Sequence, residues 1–146
     1  MSHVCKIELM IRDLDALEAA CKEIGLELVR NQDHFKWFGR SVGDYPIPEG
    51  FTAEDMGKCQ HAIRIPGNKK AYEIGITQRR DGKPGFQLLW DFWAGGYGLR
   101  EVIGEDGNRL RQAYAAAVAT KAYSKLGYRV TRSTRADGRI IMEATR

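Results

Sequence analysis

Hydrophobic and polar positions along this chain follow clear periods at both ends and lose them in the middle. Over residues 5–11, Cys5, Ile7, Leu9 and Ile11 share one side of a period-two pattern, with Lys6 and Glu8 on the other. That pattern predicts a half-buried strand. Asp13 then precedes Leu14, Leu17, Cys21 and Ile24 at helical spacing and can cap that helix, while Gly25 suits a left-handed stop. Residues 26–30 read as a second strand. This opening lays the first helix on one face of a sheet.

Strand periodicity resumes at residue 61. His61, Ile63 and Ile65 alternate with Ala62 and Arg64; Tyr72, Ile74 and Ile76 alternate with Glu73, Gly75 and Thr77. Phe86, Leu88, Trp90 and Phe92 face away from Gln87, Leu89, Asp91 and Trp93. Turn signals at Pro66-Gly67-Asn68 and Arg80-Asp81-Gly82 join the three into a meander. Gly95-Gly96-Tyr97-Gly98 is a connector. Asn108 can cap a long second helix, whose Ala115-Ala116-Ala117 run makes it slim enough for close packing, and Gly127 follows its last turn. Residues 128–134 and 139–144 are two last strands around Ala136-Asp137-Gly138. The expected fold is α+β: a curved antiparallel sheet with two helices on one face, in the order β-α-β-loop-β-β-β-α-β-β. At 146 residues the chain fits one domain, 1–146, able to bury a core without staples.

Residues 31–60 have no sustained period and hold Gly39, Gly43, Pro46, Pro48, Gly50 and Gly57. So long an irregular stretch inside a compact domain points to binding or to disorder. Phe35, Trp37, Phe38, Tyr45 and Phe51 argue for order, as an excursion packed over the sheet with a short helix at 52–56. The net charge of +4 is a mild bias towards anionic partners. Apolar runs are too short to cross a bilayer, the first six residues lack a signal-peptide pattern, and a cytoplasmic setting is expected. The scattered Cys5, Cys21 and Cys59 fit free thiols there.

Several of these runs together resemble a known family. They are Met1-Ser2-His3, Asp13-Leu14-Asp15-Ala16-Leu17, and Asp44-Tyr45-Pro46-Ile47-Pro48-Glu49-Gly50-Phe51 leading to Gly57-Lys58-Cys59-Gln60-His61-Ala62-Ile63-Arg64. Tyr72-Glu73-Ile74-Gly75, Trp90-Asp91-Phe92-Trp93 and Leu110-Arg111-Gln112-Ala113-Tyr114 complete the set. The pattern is similar to the hypothetical chloroplast open reading frame 35 family, a domain of unknown function found in plastids, bacteria and tailed phages. The Tyr-Pro-x-Pro-x-Gly-Phe insertion is closer to its phage-type members. The resemblance implies the fold and brings no established activity.

Candidate chemistry begins with His34-Phe35-Lys36-Trp37-Phe38-Gly39-Arg40. Interleaved rings and cations can stack on bases and meet phosphates, or the rings can simply complete the core. Asp91, among aromatics, can meet a partner's donors or satisfy a structural one. His3, Cys5, Cys59 and His61 are zinc-ligand types, although their spacing lacks the usual turn between ligands, and no metal is expected. The glycines at 95–98 lack the Lys-Ser or Lys-Thr of a phosphate loop. Arg109 and Arg111 open the second helix, and Arg129, Arg132, Arg135 and Arg139 mark the last hairpin. They are either phosphate forks or solvated charge that guards a sheet edge.

No catalytic triad, Walker or dinucleotide motif is present, and no cofactor is expected. The leading expectation is a non-catalytic, homo-oligomeric binding protein for a small phosphorylated ligand, a nucleotide or cyclic nucleotide that it sequesters. The second helix would lie at the oligomer interface. Phe35, Trp37, Phe38, Asp91 and Trp93 would form the ligand site with Arg40, Arg64 and Arg109. An accessory subunit docking on a protein partner such as an ATPase, a nucleic-acid binder, and an enzyme using Asp91 with His61 or His34 are the other readings.

Overall fold

A computed structural model describes residues 3–40 and 43–146. Met1 and Ser2 of the Met-Ser-His opening lie outside the described residues, as do Ser41 and Val42. The elements are β1 (Val4–Ile11), α1 (Leu14–Glu23), β2 (Glu27–Arg30), β3 (His61–Arg64), β4 (Ile74–Gln78), β5 (Phe86–Asp91), α2 (Leu99–Ile103), α3 (Asn108–Lys125), β6 (Arg129–Thr134) and β7 (Ile140–Thr145). Single 3-10 turns occupy Ala53–Asp55, Trp93–Gly96 and Glu105–Gly107. The first is the expected short helix, closed by a capping box between Thr52 and Asp55.

The main sheet has the order β1-β5-β4-β3-β2, antiparallel throughout. β1 and β2 therefore form opposite edges, and α1 crosses one face to connect them. The β3-β4-β5 meander fills the middle. The expected α+β antiparallel architecture is present, with two differences. The last two strands form a separate two-stranded sheet against α3, because their tight turn lets them pair with each other alone. The connector after β5 also contains the short α2.

On the helical face, Ile7, Ile11, Ile63, Ile74, Ile76, Leu88 and Trp90 meet Leu17, Ala20 and Cys21 of α1 and Leu110, Ala113 and Ala117 of α3. The alanines bring α1 and α3 close, as the slim second helix predicts. Asp13 caps α1 by accepting from the Ala16 N–H at 3.0 Å. Tyr114 of α3 reaches the same corner, where its hydroxyl accepts from the N–H groups of Arg12 and Asp13 at 3.1 and 3.2 Å. One ring thus fastens α3 to the start of α1.

The opposite face is covered by the irregular segment. Phe35, Phe51, Met56 and Cys59 pack on Val4, Ala62 and Leu89, with Trp37 beside them. Among the described residues, no helix is long and apolar enough to cross a membrane.

Tyr114→Phe removes the acceptor for two N–H groups while keeping the ring. It is expected to lower unfolding stability by about 1–2 kcal/mol in urea titration, with the helical circular dichroism unchanged. The His61 ring accepts at Nδ1 from the Asn31 N–H at 2.9 Å, and burial, then the Arg30 charge, lowers its pKa. A lowered folded-state pKa means that its contribution is present above the ordinary histidine value and lost as pH falls through the folded one. Stability is therefore expected to fall between pH 7 and pH 5 by more than in His61→Asn, measured by thermal melts across that range.

Candidate functional site

Asp91 ends β5 on the face covered by the loop, with no solvent exposure. Its Oδ1 accepts from the N–H groups of His3 and Trp93, each at 3.0 Å, and its Oδ2 from that of Phe38 at 3.1 Å. A buried carboxylate needs such donors. Their effect here is to tie the chain's beginning, the returning loop and the turn after β5 to one point. Nearby, burial and then the Asp91 charge push the Tyr72 hydroxyl up to about 12.

The loop's rings divide around this anchor. Phe35 is 3% exposed and lies on Gly75, where a Cβ would stand 2.3 Å from the ring. Trp37 is half-buried against Gly57. Phe51 is buried between the Arg80 guanidinium, 4.6 Å from the ring centre, and the Lys6 ammonium at 5.9 Å. Phe38 stays outside, with the Arg40 guanidinium 5.8 Å from its ring centre.

The chain then wraps the end of β1. Asp44 Oδ2 meets His3 Nε2 at 2.9 Å, and the His3 ring sits 5.2 Å from each of Tyr45, Phe92 and Trp93. After Phe92, the residues Ala94, Gly95, Gly96, Tyr97 and Gly98 all have positive φ. This left-handed run disfavours Ala94 and Tyr97 locally. It is held by the Tyr72 N–H on the Gly96 carbonyl at 2.9 Å and by the Tyr72–Tyr97 ring contact at 5.0 Å.

β1 is the free edge beside this cluster. The Phe92 N–H donates to the His3 carbonyl at 3.1 Å, in the register that pairs Cys5 with Trp90 and Ile7 with Leu88. Antiparallel alternation therefore points the main-chain groups of Val4 and Lys6 away from β5. Among the described residues, no main-chain partner meets them. Open grooves flank this edge on both sides. One, of about 540 Å³, lies between Val4, Lys6 and Glu8 and the strap formed by Tyr45, Pro46, Ile47, Pro48 and Glu49. The other, of about 280 Å³, lies between Cys5, Trp90 and Phe92 and the cations Arg100 and Arg111.

No family model, curated protein or solved structure matches this chain.

The eight residues expected to form a ligand site are not all brought together. Phe38, Asp91 and Trp93 converge, with Arg40 on the Phe38 ring and Trp37 lining the strap. Phe35 lies beneath them as core. Arg64 is held by a forked pair to Glu27, both bonds 3.1 Å. Arg109 donates to the carbonyls of Glu101 and Val102 at the end of α2. Both guanidiniums have structural partners that sequence spacing does not reveal. Sequence reasoning missed the strap with His3 and Asp44, although the alternating prolines of Tyr45-Pro46-Ile47-Pro48 signal an extended segment.

Among the described residues, the hydrogen bonds to Asp91 come from main-chain donors, and no titratable side chain is bonded to it. His61 is occupied by Asn31, and His34 pairs with Asp33 at 3.0 Å on the surface. The Cys5 thiol is pushed up to about 11, and those of Cys21 and Cys59 to about 12, burial being the largest cause each time. Such thiols are poor nucleophiles at neutral pH. His3, Cys5, Cys59 and His61 do not converge, and among the described residues no group of three or more His, Cys, Asp or Glu could hold a metal ion.

Asp91→Ala leaves three N–H groups without their acceptor. A loss of about 2–4 kcal/mol is expected from equilibrium unfolding. Amide exchange of the folded variant should accelerate at Phe38 and Trp93 while the α1 and α3 amides keep their protection.

Proposed function

We propose that this protein is a non-catalytic binding protein that docks an extended segment of a protein partner along the free edge of β1. The observation that carries this reading is a strand edge that no described residue pairs, with an open groove on each side. An added strand gains main-chain hydrogen bonds from the edge, and its alternate side chains enter grooves on the two faces. Tyr45 and Ile47, 39% and 36% exposed, supply apolar anchors on the strap. The register slips between Ile7 and Ile11, where four steps of β1 span two of β5. The irregularity limits the docked segment to a few residues opposite Val4 and Lys6. The strap is also the Tyr-Pro-x-Pro-x-Gly-Phe run in the resemblance to the phage-type open reading frame 35 proteins.

A second reading is a small phosphorylated ligand of the nucleotide type at the Phe38 rim. It is favoured by the Arg40 cation lying over an exposed ring, the pairing that receives a base and its phosphate. Ligand pockets are usually concave, and this rim is open, so partner docking is the stronger of the two.

Screening a displayed library of short peptides supplies the probe. Val4 and Lys6 amides should gain exchange protection in the complex. Lys6→Pro should abolish binding, because it deletes an outward N–H without touching the β5 ladder. Peptides that bind Lys6→Pro as tightly as the parent would overturn the docking mode. Calorimetry with a nucleotide panel, against Phe38→Ala, separates the second reading.

A further inference from the structure

The charge of this chain is divided unevenly between its parts. Residues 108–146, which make α3, β6 and β7, hold nine Lys and Arg against two acids, Asp137 and Glu143. That stretch carries +7, and the other 107 residues carry −3, within the total of +4. The sequence total hides this polarity.

Some of these cations have partners in the body. Arg132 reaches Glu23 at 2.7 Å, Lys121 reaches Asp13 at 2.7 Å, and Arg111 reaches Asp106 at 3.5 Å. Among the described residues, Lys125, Arg129 and Arg135 have no acidic partner within 4.0 Å, and Arg139 has only the turn residue Asp137 at 3.5 Å. Arg146 lies over the Tyr128 ring at 4.8 Å, and Tyr128 meets Tyr123.

The ribbon presents two different faces. Val130, Thr134, Ile140 and Met142 lie on one side. Gln112 of α3 holds that side by donating to the Gly138 carbonyl at 2.8 Å and accepting from the Ile140 N–H at 3.3 Å. Arg129, Thr131, Ser133, Ile141, Glu143 and Thr145 alternate onto the other side, all exposed. Arg135 and Arg139 stand at the turn.

The geometry points to β6–β7 as a binding surface for a nucleic-acid duplex, with Arg129, Arg135 and Arg139 on its phosphates. A two-stranded ribbon fits a major groove about 12 Å wide. Guanidiniums fork onto phosphate oxygens, and hydroxyls such as Thr131 and Ser133 add short-range donors. A membrane surface would require a broad apolar face, and the outward side offers Ile141 alone. An acidic peptide would suit the groove of about 490 Å³ between the ribbon and α3, where Glu23 lies beside Arg109 and Arg135 and opposes an anion; the outer side presents a strip of exposed side chains instead.

The test is fluorescence anisotropy of a labelled 20-base-pair DNA duplex with the full chain at 50 to 200 mM salt. Micromolar binding is expected at the low end, with a log–log salt slope of roughly −3 for about three neutralised phosphates. Arg129→Ala with Arg135→Ala and Arg139→Ala should weaken binding at least ~10-fold at 50 mM salt and flatten the slope by about 1 per cation removed. Circular dichroism should confirm that this variant is folded, and Lys6→Pro should bind as the parent does. No binding at 50 mM salt, a triple variant as tight as the parent, or a preference for phosphatidylserine vesicles in a sedimentation assay would each overturn the assignment.

Discussion

The Asp91 carboxylate is the constraint on which the rest of this structure depends. Its three donors come from residues 88 and 53 positions away and from its own turn. Hydrogen bonds to a charged acceptor contribute about 1.5–3 kcal/mol each, while burying a charge costs several kcal/mol. The two sides nearly cancel, so the net stabilisation is modest. The larger effect is on geometry: any arrangement that displaces Phe38, His3 or Trp93 leaves a buried charge short of donors. One side chain thereby decides where the loop returns, where β1 begins and how the chain leaves β5. The edge and the rim both take their positions from it.

The face beneath the loop explains why it is covered by an excursion and not by a third long helix. Ala62, Gly75 and Thr77 make a shallow floor beside Leu89. Gly75 has no Cβ to lift the Phe35 ring, so a single aromatic can lie flat and exclude water. Main-chain bonds complete the cover: the Phe35 N–H donates to the Gly57 carbonyl at 2.8 Å and the Cys59 N–H to the Asp33 carbonyl at 3.0 Å. The two legs of the excursion therefore form a narrow ladder of their own. Aromatic rings on such a ladder bury a large area per residue, which gives a segment without regular elements enough apolar contact to remain ordered.

The periodic parts of the fold were legible in the sequence because period two and period 3.6 report one buried face each. β1, α1, the meander and α3 all form, but β4 begins at Ile74 after Tyr72, β5 ends at Asp91 before Phe92 and Trp93, and Asn108 starts α3 behind Gly107 without serving as its side-chain cap. Its capping box is visible only in the structure, but the short helix expected at 52–56 was also readable locally and is the 3-10 turn Ala53–Asp55. The roles of individual rings were not: Phe35 and Phe38 are three residues apart in an aperiodic stretch, and only Asp91, from another strand, decides which faces out. Arg64 looked free for a ligand because its partner Glu27 is neighbouring only once β2 and β3 are in register. Arg109 was expected at the ligand's phosphates, yet it caps the end of α2, an element too short to show a pattern.

The two proposed surfaces differ in what limits them. At β1 the main-chain groups are generic, so discrimination must come from the grooves and from what the edge refuses. Lys6 and Glu8 on the edge, the slip after Ile7, and a strap whose Pro46 and Pro48 lack N–H groups all oppose the addition of a long regular strand. Only a short segment whose side chains suit both grooves escapes those obstacles, which favours selectivity over affinity. On β6–β7 the relation is reversed. Phosphate contacts made by flexible arginines carry little sequence information, and the −3 charge on the rest of the chain disfavours a polyanion elsewhere. The field therefore selects the ribbon as the place of contact while leaving the sequence contacted largely open.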